Sequence, residues 1–347
     1  MPSVAIIGAG SSGLAAAHTL RDAGSIVTIF EKSRGVSGRA ATRKREGFIY
    51  DYGANYIKQG NSASTSFITE RFYSPDLINI SKPVWIFDGA GHIQEGDPQQ
   101  NAEVKWNYRG GLTTLAERMA EGLDIHLETR ITRVQQHVDG WTLFDGGGQS
   151  FAMFDQLLIA IPAAQAIELI QASEFNADLG ATIRSLLETA RYNMLISVLL
   201  GYRPRPRSRP YYALVNTDRA HAISWLAWEH EKAPERAPAD AGLLMAQMGP
   251  HYSQEHWQIP DAEIYPDVAQ RVASLIDEKL PTPYFTDIQR WRYALPAQQA
   301  DADELNAITV PIGLAFCGDG FVGGRVHLAL EHGILVAKKL INGVLYS

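Results

Sequence analysis

The chain opens on a short unbroken apolar run, Val4-Ala5-Ile6-Ile7, the pattern of a strand buried on both faces of a parallel sheet. Gly8-Ala9-Gly10-Ser11-Ser12-Gly13 follows, then Leu14 to Ala23 predicts a helix stopped by Gly24, and Ile26 to Phe30 a second strand. Apolar runs return at Ile131–Val134, Leu157–Pro162 and Ile312–Cys317. The last is followed by Gly318-Asp319-Gly320 and a helical pattern from Val326 to Ile341. The middle of the chain reads differently. Strand-favouring runs stand at Val84–Phe87, Met194–Tyr202, Tyr211–Val215, Ala222–Trp228 and Leu243–Met248. Helices are predicted over Leu179–Ala190 and Ile264–Leu280, the second ended by Pro281 and Pro283. The expected architecture is α/β. A discontinuous Rossmann-type nucleotide domain (1–75, 108–165 and 300–347) carries an inserted substrate domain of antiparallel sheet plus helices (76–107 and 166–299).

The first thirty residues combine strand, glycine turn, helix, strand and acid, the arrangement of a dinucleotide-binding unit. Gly8 allows the tight turn, Gly10 lets a pyrophosphate approach the backbone, and Gly13 lets helix and strand pack closely. The helix N-terminus offers unpaired N–H groups and a positive dipole end to the phosphates. Glu31, 18 positions past Gly13, can accept hydrogen bonds from ribose hydroxyls. A lone glycine triplet is weak evidence, because glycine turns are common; the full context carries the reading. The module by itself does not separate FAD from NAD.

Composition narrows the classes. The 347 residues suit one large domain or two interwoven ones, and 46% hydrophobic with 20% charged is ordinary globular usage. A net charge of −7 provides no basic footprint for nucleic acid or an anionic membrane. The single Cys317 excludes a disulfide framework, a redox pair and a cysteine-rich metal site, and fits a reducing, cytoplasmic compartment. The N-terminal run lacks a basic n-region and is broken by glycine, so it does not read as a signal peptide. No run approaches the roughly 18 apolar residues that span a bilayer. His221, His230, His251 and His256 read as surface or structural residues, no spacing suggests a metal site, and Arg203–Arg207 reads as a stiff exposed loop. Without a second Gly-x-Gly-x-x-Gly or a cysteine pair, the disulfide-reductase type of hydride relay is disfavoured.

Beyond Glu31, the stretch Lys32-Ser33-Arg34-Gly35-Val36-Ser37-Gly38-Arg39 resembles the second glycine motif of the amine-oxidase-like flavoproteins. The resemblance implies bound FAD, with Arg39 reaching its pyrophosphate and Lys32 and Gly38 in the same loop; a planar guanidinium suits oxyanions. The competing reading is a solvated basic loop. Gly318-Asp319-Gly320 resembles the flavin-end motif of the same group, where the aspartate binds the ribityl chain and the helix N-terminus faces the isoalloxazine. Ile131–Val134 resembles the strand that touches adenine, which implicates Val134, and Ser12 stands where the group often has threonine.

Within this group the chain is most similar to the renalase family, through Asp51-Tyr52-Gly53-Ala54-Asn55-Tyr56, Gln289–Tyr293 and Cys317–Phe321. Asn55 (a glutamine in the family) and Tyr56 are implied to contact the flavin. The family implies a non-covalent FAD that takes hydride at N5 from a small-molecule substrate, a 2- or 6-dihydro isomer of NAD(P), with molecular oxygen as acceptor and hydrogen peroxide as product. Hydride transfer demands no protein nucleophile, so no catalytic side chain is assigned. Tyr56, Trp225, Trp291 and Tyr293 are the candidate pocket lining, with Trp228 a further aromatic nearby. A flavin-dependent amine oxidase and a non-catalytic nucleotide-binding protein remain as alternatives. Oligomeric state is not legible.

Overall fold

The computed structural model describes residues 1–344. Two sheets dominate a mixed α/β fold. The first has five parallel strands in the order Asp124–His126, Ile26–Phe30, Ser3–Ile7, Gln156–Ile159, Leu314–Phe316. Val4 to Ile7 are all buried, as an unbroken apolar run in a covered parallel sheet requires.

The first helix runs Ser11–Asp22, three residues earlier than the apolar pattern predicts. Gly10 is its N-cap, and Gly13 lies inside its first turn as a point of contact rather than a breaker. A Cβ at Gly13 would stand 2.1 Å from the Gly8 carbonyl oxygen. The C-terminal helix, Val326–Val344, packs along this first helix, and Gly333 makes that crossing possible: a Cβ there would stand 2.1 Å from Ser12 O. The strand predicted over Ile312–Cys317 contracts to Leu314–Phe316, because Val310–Ile312 form a 3₁₀ turn and Gly313 takes φ +73°.

The second sheet has seven strands in the order Phe285–Gln298, Arg191–Tyr202, Gly242–Met248, Ile223–Trp228, Ala213–Asn216, Val84–Phe87, Ile93–Gln94. Its pairings are antiparallel except for Ala213–Asn216 with Val84–Phe87. The edge strand Phe285–Gln298 lies outside the runs that the apolar pattern predicts as strands. Its polar and aromatic run lacks a clean apolar alternation, and its Pro296 is tolerated where one backbone edge is unpaired. Helix boundaries shift too. The Ile264–Leu280 helix runs Asp261–Leu275 and stops where Asp277 takes φ +47°, before the prolines; the Leu179–Ala190 helix runs Ala177–Leu187.

One face of this sheet packs on the Asp261–Leu275 helix through Ile196, Val198, Ile264 and Val268. The other packs on the strand Phe48–Asp51 through Leu199, Tyr212, Met245, Phe48 and Tyr50. That second layer brings the segment after Asp51 between the two sheets. Among the described residues, no helix is long and apolar enough to cross a membrane.

Candidate functional site

At the C-terminal ends of the parallel strands the glycine turn is held by its neighbours. Gly8 takes φ +108°, and a Cβ there would meet Ala160 O at 2.8 Å, so only glycine fits. Gly10 differs: a Cβ would meet nothing within 4 Å. Glu31 is buried, and its carboxylate accepts from Ala9 N (2.9 Å) and Ser33 N (2.8 Å). It therefore braces the glycine turn, with one further lone pair per oxygen left. Ser37 bridges to Gly10, and Gly38 (φ +57°) lies against it, so the second glycine motif docks on the first. Lys32 is exposed, and its Nζ donates to Gln165.

Arg39 and Asp319, 280 positions apart, form an ion pair of 2.7 Å. Arg39 also donates to Tyr293 O (2.9 Å), tying the edge of the second sheet to the Gly318-Asp319 turn. Gly318 adopts φ +138°, and its amide hydrogen-bonds His332 Nδ1 at 3.1 Å. Burial lowers the His332 imidazole to about 4, so it is neutral at physiological pH, and its Nδ1 also lies 3.2 Å from Gly318 O. Burial pushes the Cys317 thiol up to about 12, beside Ser12. Tyr192 caps this corner: its ring lies 5.8 Å from the Arg39 guanidinium, and a Cβ at Gly320 would strike its hydroxyl at 2.4 Å.

The segment 51–56 passes between the sheets. Trp291 Nε1 donates to Tyr52 O (2.8 Å), and the two rings stack at 5.4 Å. Gln247 Nε2 donates to Gly53 O (2.6 Å), and Asn55 Nδ2 to Gln247 Oε1 (3.1 Å). Tyr56 lies 6.2 Å from Trp225, which lies 6.2 Å from Tyr212. Burial pushes the Tyr56 and Tyr212 phenols up, so both stay neutral.

Beneath the segment sits a fully buried charge cluster. Asp51 pairs with Arg236 (2.8 Å) and Lys232 (3.2 Å), and Glu229 with Lys232 (2.7 Å) and Arg236 (2.9 Å). Asn107 joins it to the segment above, donating to Asp51 (3.0 Å) and to Asn55 O (2.8 Å) and accepting from Arg236 (2.5 Å).

With this geometry in view, comparison with known proteins places the chain. The family model described as flavin containing amine oxidoreductase matches residues 84–341. The chain belongs to that family. An NAD(P)-binding Rossmann-like domain matches residues 6–70. Over 85 residues the chain is 35% identical to a 4,4'-diapophytoene desaturase of Staphylococcus aureus (strain Newman), a match spanning 24% of this chain and 17% of that protein. Among solved structures it is similar to cyclohexylamine oxidase from Brevibacterium oxydans IH-35A (TM-score 0.76, 15% identity, 99% of both chains). It is also similar to reduced UDP-galactopyranose mutase (TM-score 0.80, 11% identity, 99% of this chain and 96% of that one). At these identities the likeness is one of fold.

Gly8, Gly10, Ser12, Gly13, Glu31, Gly38, Arg39, Gly318 and Asp319 thus gather at one end of the parallel sheet of a flavoprotein-family fold. Asn55, Tyr56, Trp225, Trp291 and Tyr293 lie along its junction with the second sheet. Val134 does not join them. It is fully buried, its N–H donates to Ser173 Oγ (2.9 Å), and its carbonyl accepts from Glu174 N (3.0 Å). Trp228 is a core residue, edge-on to Tyr211 at 5.3 Å on the far face of the second sheet. Gln247, Asn107, Tyr192 and His332 escaped the sequence reading. For Gln247 a signal existed: it is the lone polar side chain in the apolar run Leu243–Met248. A broad depression of about 720 Å³ over Gln136–Asp139, Met153 and Phe175 touches none of these groups.

Proposed function

We propose that this protein is an FAD-dependent oxidase of the renalase type, acting on the 2- or 6-dihydro isomers of NAD(P). The residues fit FAD on two counts. The position over Gly10 is open, a Cβ there meeting nothing within 4 Å, so a phosphate can approach the backbone at the helix N-terminus. The buried atoms Asn55 Oδ1, Trp225 Nε1 and Tyr212 Oη have no protein partner, as expected of groups that complete their hydrogen bonds on a ligand. The turn Gly8–Gly13 and Arg39 would hold the pyrophosphate, Glu31 and Lys32 the ribose side, Gly318 and Asp319 the ribityl chain, and Asn55 and Tyr56 the ring. Bound FAD supplies a two-electron acceptor. Overall, dihydro-NAD(P), O2 and one proton give NAD(P)⁺ and H2O2. Attachment is non-covalent in this reading, because the lone cysteine is a buried thiol and not a thiolate.

The observation that carries the substrate reading is charge balance at the junction. Asp319 is paired with Arg39, Asp51 and Glu229 with Arg236 and Lys232, and Asp287 with Arg43 and Arg45. Each of these carboxylates is already spent, so none of them receives a substrate ammonium, whereas the aromatic side chains suit a flat uncharged ring. The protein's task is to hold the donor carbon in place and exclude water; misplacement by about 1 Å costs on the order of 100-fold in rate. Anaerobic stopped-flow with the loaded protein tests this. Dihydro-NAD(P) isomers should bleach the flavin rapidly and alkyl or aryl amines should not. Bleaching by amines alone would move the assignment to an amine oxidase, and no bleaching by either to a non-catalytic binding protein.

A further inference from the structure

The segment 51–56 is tied down group by group. The carbonyls of Tyr52, Gly53 and Asn55 accept from Trp291 Nε1, Gln247 Nε2 and Asn107 Nδ2, and Ala54 N donates to Arg39 O (2.9 Å). One buried polar atom of the segment's side chains is left over, Asn55 Oδ1. Its orientation follows from its neighbours. A backbone carbonyl can only accept, so Gln247 must turn Nε2 to Gly53 O at 2.6 Å and present Oε1 to Asn55. Asn55 must then spend Nδ2 on Gln247, which leaves Oδ1 as the free atom. One carbonyl thereby sets the polarity of two amides.

A buried acceptor without a donor is costly, and a segment otherwise so fully paired does not retain one without a use. Trp225 stands opposite Gln247 on the adjacent strand, and its Nε1–H is likewise buried and unpaired. An acceptor and a donor in neighbouring positions match a ligand edge that carries both an N–H and a C=O. An ammonium has no acceptor to offer Trp225.

We propose that Gln247 is a positioning residue that fixes Asn55 Oδ1 as the acceptor for an amide-type N–H on a planar ligand, with Trp225 Nε1 serving the adjacent carbonyl. Two sources carry this chemistry: the imide edge of the flavin ring and the carboxamide of a nicotinamide. The inference rests on the reading that the chain holds FAD and takes a dihydronicotinamide, and it adds which residue decides their recognition.

The experiment has two arms. In the first, apoprotein is titrated with FAD and with FAD methylated at ring N3, followed by flavin fluorescence. In the second, KM and kcat are compared for the dihydronicotinamide substrate and its 3-acetyl analogue, which keeps the carbonyl and lacks the N–H. Wild type should prefer the N–H-bearing partner in one arm by on the order of tenfold, as an affinity or KM effect. That arm identifies the source. Gln247→Met should reduce the preference to about twofold or less. Asn55→Ala should do the same; because it also takes the donor away from Gln247 Oε1, its fold is checked by circular dichroism, and only loss of the preference in a folded variant counts. Indifference of wild type in both arms overturns the inference, as does a preference that survives Gln247→Met. Apoprotein that takes up neither flavin overturns the FAD reading itself, and the inference with it.

Discussion

Asn in place of Asp51 keeps the side-chain shape and deletes one charge from a cluster whose four charged side chains have no exposed surface. Two carboxylates balance two cations there, so Asp51→Asn leaves one buried positive charge uncompensated. The new amide also turns an NH2 toward groups that all donate: Arg236, Lys232, Leu112 N (2.9 Å), Asn107 Nδ2 (3.0 Å) and Thr42 Oγ1 (2.7 Å). Breaking a buried pair from one side costs about 3–5 kcal/mol. Spread over 347 residues at about 2.1 cal/mol/K of unfolding entropy per residue, that lowers Tm by roughly 4–7 °C. The pH dependence has a definite sign. Burial alone would raise the Asp51 carboxyl, but Arg236 and Lys232 overrule it and hold it far below the usual carboxylate range. Its stabilisation is therefore complete above the unfolded value of about 3.9 and is lost only as pH falls through the folded one. Melting at fixed FAD concentration, scanned from pH 5 to 8, should show a constant gap between wild type and variant. The exposed pair Lys339–Asp303 serves as control, and Asp303→Asn should leave Tm unchanged. An Asp51→Asn gap no larger than this control, or one that varies across the range, refutes the reasoning.

Arg39→Ala should weaken FAD retention by about 1.5–3 kcal/mol, roughly 10- to 150-fold in Kd by flavin fluorescence; undiminished retention would reduce Arg39 to a tether between Asp319 and Tyr293. His332 is neutral in the fold, so below pH about 6.5 the unfolded chain binds a proton that the folded one refuses. Stability should fall as pH drops from about 6.5 to about 4 and stay level above. His332→Gln should flatten part of that slope in denaturant titrations, part only because burial lowers His230 to about 4 as well. An unaltered slope contradicts the role.

Most of what was legible in the chain is short-range physics. Gly8 needs φ +108° in the turn, and a Cβ at Gly13 would stand 2.1 Å from Gly8 O, so the glycine spacing together with the flanking strand, helix and acid announces the nucleotide end of the fold. The apolar runs Val4–Ile7 and Leu243–Met248 announce strands for the same reason, since burial on both faces leaves no alternation to misread. The strand Phe285–Gln298 is hidden from the apolar pattern because Asp287, Gln289 and Arg290 occupy inward positions by meeting polar partners rather than water. Arg43 reaches Asp287 (2.8 Å) and Gln289 (2.5 Å) from the opposing layer. Resemblance selects the strand that carries Val134 but not its backbone partners, which the Ser173–Glu174 segment supplies. The site's decisive contacts belong wholly to tertiary structure. Arg39 meets Asp319 across 280 positions, Gly53 meets Gln247 across 194, and Asp51 meets Arg236 across 185. No pattern within the chain encodes such pairings. They exist only once the second sheet is seated against the Phe48–Asp51 layer, when desolvation obliges each charge and amide to find its partners within the protein.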